Sequence, residues 1–117
     1  MARRKIYYKW ELPCAVVEIV RGICADYDRR ENAIKYSNVT GGVLERYVEL
    51  NSAVDAALED LEVGLRKDMI EDVALNRGYD FSRCSTYVSK CTYYNKKRKL
   101  IYDIAERLFL VPGKNKL

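Results

Sequence analysis

Histidine is absent from all 117 residues of the chain. Ser–His and Cys–His nucleophile pairs are therefore impossible within it. Cysteine is sparse, at four residues, and Cys14, Cys24, Cys84 and Cys91 are spaced 10, 60 and 7 apart. No CxxC pair occurs, and without histidine the usual zinc-ligand spacings are missing, so no metal site is expected. Glycine and proline are also few, at six and two. There is no glycine-rich phosphate loop, and the lone Gly41-Gly42 pair reads as a turn. No run of about 18 uncharged apolar residues exists, so no membrane span is expected. The basic start Met1-Ala2-Arg3-Arg4-Lys5 is followed by Trp10, Glu11 and Pro13, where an export signal needs an unbroken apolar run. A cytoplasmic location with four reduced, unpaired thiols is the expectation. Carboxylates are plentiful but fall along a helical pattern with no sign of a cleft. No catalytic residue and no cofactor is assigned, and the chain is not expected to be an enzyme.

What is present is apolar residue and charge, at 49% and 32%. That balance suits an ordered, helix-rich single domain. The charge is unevenly placed. Residues 1–9 carry four cations and no anion; residues 45–72 carry nine anions and three cations, a net of −6; residues 77–99 carry seven cations and one anion, a net of +6. A basic block beside an acidic one suits a surface for a polyanion, although solvated helix faces of opposite sign give the same pattern.

The organisation is expected to be all-α, with four to five helices and no sheet. Residues 1–10 read as a basic aromatic arm and residues 11–117 as one helical domain. The arm either touches phosphates or a neighbouring subunit, or tucks Tyr8 and Trp10 into the core. A first helix is expected from about Leu12 to Tyr36, with Leu12, Val16, Ile19, Val20, Ile23, Tyr27 and Ile34 as its apolar stripe. Asp28-Arg29-Arg30-Glu31 is placed on its outer side, and residues 37–42 read as a loop. A second helical stretch runs from about Val43 to Asn76. It is either one long helix that serves as a dimer seam or two helices broken near Asn51-Ser52 or at Gly64. Gly78 is the expected left-handed cap. A short helix from about Phe81 to Tyr87 is capped by Asp80 or Ser82. After the tight turn at Val88-Ser89, a last helix runs from Lys90 to about Leu110. Leu58, Leu61, Leu65, Val73, Ile101, Ile104 and Leu108 are expected in the core.

A short helix, a turn ending in an N-cap serine and a basic helix match a helix-turn-helix at about residues 80–110 in length and order. Ser89 can satisfy an orphan amide at the helix start. Lys90 and Thr92 lie in the first turn, and Asn95, one turn on, has the side chain that pairs with adenine. Lys96, Arg98 and Lys99 are placed along the phosphates. Tyr94 joins this set if Tyr93 packs inward; the opposite phase exposes Tyr93. The candidate DNA-binding residues are therefore Ser89, Lys90, Thr92, Tyr94, Asn95, Lys96, Arg98 and Lys99.

The segment Ser89-Lys90-Cys91-Thr92-Tyr93-Tyr94-Asn95-Lys96-Lys97-Arg98-Lys99, followed by residues 101–108, resembles the C-terminal part of phage and prophage regulators of the ArpU and RinA type. The stretch from Leu58 to Gly78, ending in Asn-Arg-Gly, fits the helix that leads into that motif. Asp26-Tyr27-Asp28-Arg29-Arg30 is a looser likeness. The resemblance implies a helix-turn-helix like that of sigma-70 region 4, in a sequence-specific transcriptional regulator of a bacterial host cell. It implies double-stranded DNA as partner, with RNA polymerase as a further candidate; a second copy of the chain is the candidate that a dimer seam over residues 43–76 would imply. The alternatives are a helical interaction protein, in which the acidic stretch of one copy meets the basic helix of another, and a small-terminase-like DNA-packaging accessory.

Overall fold

The computed structural model describes residues 12–111. Among these residues it contains five α-helices, two short 3-10 turns and no strand. The arm read at residues 1–10 lies outside them. Helix α1 spans Cys14–Ala25, α2 Tyr27–Lys35, α3 Gly41–Leu58, α4 Val63–Ala74 and α5 Lys90–Arg107. None of these helices is long and apolar enough to cross a membrane. The helices share one core, with Val20, Val54, Leu65, Met69, Val73, Tyr93, Leu100 and Ile104 almost wholly shielded. Of the expected core residues, Leu61, Leu65, Val73, Ile104 and Leu108 are buried, while Leu58 and Ile101 pack half-buried against its edge.

The single helix expected over 12–36 is two, broken at Asp26. Arg30, expected on the outside, explains the break. Its guanidinium is buried and donates to the Ile23 carbonyl at 2.6 Å and to Asn51 Oδ1 at 2.7 Å. The first bond satisfies a carbonyl that the broken helix releases, and the second pins α2 to α3. Asp26 closes the corner from outside, accepting two bonds from Arg29 at 2.7 and 2.6 Å. Those bonds hold its carboxyl below the usual range.

The long second stretch is also two helices. It breaks at residues 59–62, just before Gly64 and well after Asn51-Ser52. Asn51 is buried inside α3, where its amide donates to Glu31 Oε1 at 2.8 Å. An arginine again closes the corner: Arg66 donates to the carbonyls of Leu61 at 2.9 Å and Glu59 at 3.3 Å.

Gly78 is not the left-handed cap, since that conformation belongs to Asn76, with φ 56°. Helices α2, α4 and α5 all end this way, on Ser37, Asn76 and Phe109. In each, the following amide reaches back to close the last turn: Asn38 to Ala33, Arg77 to Asp72 and Leu110 to Ala105, at 2.8–2.9 Å. Helix α5 therefore stops at Arg107, short of the expected Leu110. Gly78 serves a different need. A Cβ there would lie 3.2 Å from the Tyr94 hydroxyl, so the small residue lets the connector run close to α5.

The short α-helix expected over 81–87 is replaced by 3-10 turns at Tyr79–Phe81 and Arg83–Thr86. Asp80 is exposed. Ser82 is the cap, and its Oγ accepts the Cys84 amide at 2.9 Å.

Candidate nucleic-acid interface

Helix α5 begins where the sequence places it. Ser89 is extended, and its Oγ accepts the Thr92 amide at 3.2 Å while lying 3.0 Å from Thr92 Oγ1. The rotation of the helix is set by a buried polar cluster beneath its first turns. Tyr93 is fully buried, and its hydroxyl lies 2.9 Å from Asp72 Oδ2 and 3.1 Å from the Arg77 carbonyl. Asp72, also fully buried, takes the Ser82 hydroxyl on the same Oδ2 oxygen. Its other oxygen faces Arg77 at 3.4 Å. A single carboxylate thus ties α4, the connector and α5 together. Burial, reinforced by Asp72, drives the Tyr93 phenol pKa upward, so the hydroxyl keeps its proton.

This phase separates the candidates. Lys90, Thr92 and Asn95 are exposed, and Asn95 Nδ2 sits 3.8 Å from Cys91 Sγ on the same face. Ser89 is exposed with its hydroxyl committed to the cap. Tyr94 is not an outward reader. It is half-buried edge-on against Tyr93, at 5.0 Å between ring centres, and its hydroxyl accepts the Tyr79 amide at 3.1 Å. Arg98 lies near the same ring, 5.8 Å from its centre.

The four consecutive cations are not equivalent. Lys97 points inward, with Nζ donating to the Arg77 carbonyl at 2.7 Å and lying 5.6 Å from the Tyr93 ring centre. Burial lowers its pKa, Asp72 acting the other way. Lys96 and Lys99 line a groove of about 220 Å³ together with Asp60 and Asp103. There Lys99 Nζ donates to Asp60 Oδ2 at 2.9 Å.

The connector is braced on both sides. The Tyr79 hydroxyl donates to the Val88 carbonyl at 2.7 Å, and the Tyr87 hydroxyl donates to Asp68 Oδ2 at 2.8 Å. Arg83, on the second 3-10 turn, is exposed. The helix-turn-helix pattern does not single it out, although its place in the cation-rich stretch is a signal. From Phe81 to Tyr102 the chain carries no carboxylate. Phe81 and Leu75, 81% and 59% exposed, line one open cup with Tyr94.

All four thiols are unpaired, with Cys24 and Cys84 buried and Cys14 and Cys91 exposed. No cluster of three or more metal-ligating side chains occurs among the described residues. No protein-family model, curated protein or solved structure matches the chain.

Proposed function

We propose that the chain is a duplex-DNA-binding transcriptional regulator, of the phage late-regulator type that its C-terminal segment resembles, with α5 as the reading helix. The supporting observation is the composition of one face of that helix. The capped first turn exposes Thr92, Asn95 and Lys99 follow on the same side, and Lys96 and Arg98 flank them on a stretch free of carboxylates, while Lys90 is exposed at the helix start on another side. Uncharged and bidentate side chains suit base edges, and the cations suit phosphates. Arg83 and the amide end of α5 add positive potential at the flank. The first α-helix that a helix-turn-helix calls for is absent, and two 3-10 turns brace the start of α5 instead.

The test is selection of bound duplexes from a random library, followed by titration across a range of salt concentrations. Replacing Lys96, Arg98 and Lys99 together by Ala should weaken all duplexes alike. It should also reduce the log–log salt slope by about 0.9 for each phosphate no longer neutralised. Changing Lys90, Thr92 or Asn95 should instead alter which sequence is preferred, by about 1–3 kcal/mol for a good base contact. A folded triple variant with the parent's affinity and slope excludes α5 as the reader. The cup of Leu75, Phe81 and Tyr94 favours a second reading as a protein-interaction module, since exposed apolar patches rimmed by polar groups mark such surfaces. That reading takes the lead if the parent binds no duplex.

A further inference from the structure

We propose that Asp60 is an internal competitor for DNA phosphate at Lys99, and so holds the chain's affinity for duplex below what its cations alone supply. The inference rests on the DNA-binding reading above. Lys99 follows Thr92, Asn95 and Lys96 by seven, four and three residues, so it lies along the same side of α5 as those side chains. The pair bridges two parts of the fold: Asp60 belongs to the bend between α3 and α4, and Lys99 to the middle of α5. Nζ and Oδ2 are 2.9 Å apart, and the side chains are 42% and 54% exposed for Lys99 and Asp60. The groove around them holds a second cation, Lys96, and a second carboxylate, Asp103. Asp103 lies against Asp60 and within the field of Lys99, and its Oδ1 is also 3.8 Å from Arg107 Nε.

A carboxylate oxygen at this distance meets the ammonium as a phosphate oxygen does, with the same sign of charge and as a hydrogen-bond acceptor. A phosphate approaching Lys99 must displace Asp60 or accept its repulsion. Asp60 lies on an exposed bend, and exposed ion pairs are weak, so displacement is feasible and carries a modest penalty. The Lys99 hydrogen bond also holds the Asp60 carboxyl below its ordinary range, so the competitor stays ionised at neutral pH.

The experiment measures binding of the full chain to a short fluorescent duplex of arbitrary sequence, by polarisation across a range of salt. The parent is compared with Asp60→Asn, Glu59→Gln, Lys99→Ala and the double variant of Asp60→Asn with Lys99→Ala. Circular dichroism checks that each is folded. Asp60→Asn should tighten binding about two- to five-fold, the range set by an exposed pair. Glu59→Gln, an equal charge change one residue away, should do less. The gain from Asp60→Asn should vanish in the Lys99→Ala background. The inference is overturned if Asp60→Asn binds no tighter than the parent, or gains equally without Lys99. If neither the parent nor Asp60→Asn binds duplex at any salt, the DNA-binding reading falls, and this inference with it.

Discussion

Asp72 and Tyr93, 21 residues apart and both fully buried, meet through a phenol oxygen 2.9 Å from a carboxylate oxygen. The contact sets which side of α5 faces the core. Asp72→Ala leaves the Ser82 hydroxyl without its acceptor and the Tyr93 hydroxyl with only the Arg77 carbonyl, at a cost of about 1–3 kcal/mol. Tyr93→Phe keeps the ring packing and removes one donor, so it should cost less. Urea unfolding is the measurement, and an Asp72→Ala midpoint equal to the parent's would exclude the carboxylate as an anchor.

Arg30 should matter far more than its place in a charged run suggests. Arg30→Met keeps an apolar stem but leaves the Ile23 carbonyl and Asn51 Oδ1 without their donors. The expected loss is about 2–6 kcal/mol, from one buried and one part-buried acceptor at roughly 1–3 kcal/mol each. Arg29→Met, which removes exposed bonds to Asp26 and an exposed contact with the Tyr47 ring, should cost less than about 1 kcal/mol. Paired denaturation curves give the comparison.

Lys97 should behave unlike its three cationic neighbours. Lys97→Ala removes the bond to the Arg77 carbonyl and the cation near the Tyr93 ring. A stability loss of about 1–3 kcal/mol is expected. If the chain binds duplex as proposed, the salt slope of that binding should stay at the parent's value. Lys96→Ala should do the reverse, lowering the slope with stability within about 0.5 kcal/mol of the parent. A salt slope lowered equally by both variants would show that Lys97 also reaches DNA.

The buried thiol of Cys24 gives a pH prediction. Burial pushes its pKa from 9.0 up to about 12, with Arg30 pulling the other way. The unfolded chain releases this proton first. The group's stabilising contribution is therefore complete below about pH 9 and is lost as pH rises toward 12. At about pH 10 the parent should have lost roughly 1 kcal/mol more than Cys24→Ala, each relative to neutral pH. Equal losses in the two proteins would refute the burial argument. Alkylation of the native protein at about pH 8 should label Cys14 and Cys91 first, with Cys24 and Cys84 reacting on unfolding.

Much of this protein is written in local pattern. The spacing of apolar residues is enough to establish an all-α chain, because a helix must put them three and four apart to bury one side. The start of α5 is equally legible, since a serine cap is satisfied within three residues of itself. Other features are decided only when distant parts meet. The four cations at 96–99 look alike along the chain, and only the rotation of α5 sends Lys97 inward, a rotation set by Asp72 from another helix. The helix break at Asp26 carries no glycine or proline, and the break at residues 59–62 falls just before Gly64, one of the two places where the sequence offers it. Both breaks are closed by Arg30 and Arg66, which read as surface charge until a guanidinium finds a released carbonyl. Which of Tyr93 and Tyr94 turns outward is left open by the sequence for the same reason: Tyr94 is held half-buried by the Tyr79 amide, which the connector brings across from 15 residues away. Periodicity and capping act within a turn or two of helix, so the sequence determines them by itself. The burial of a charged or polar side chain depends on partners that only the packed structure supplies.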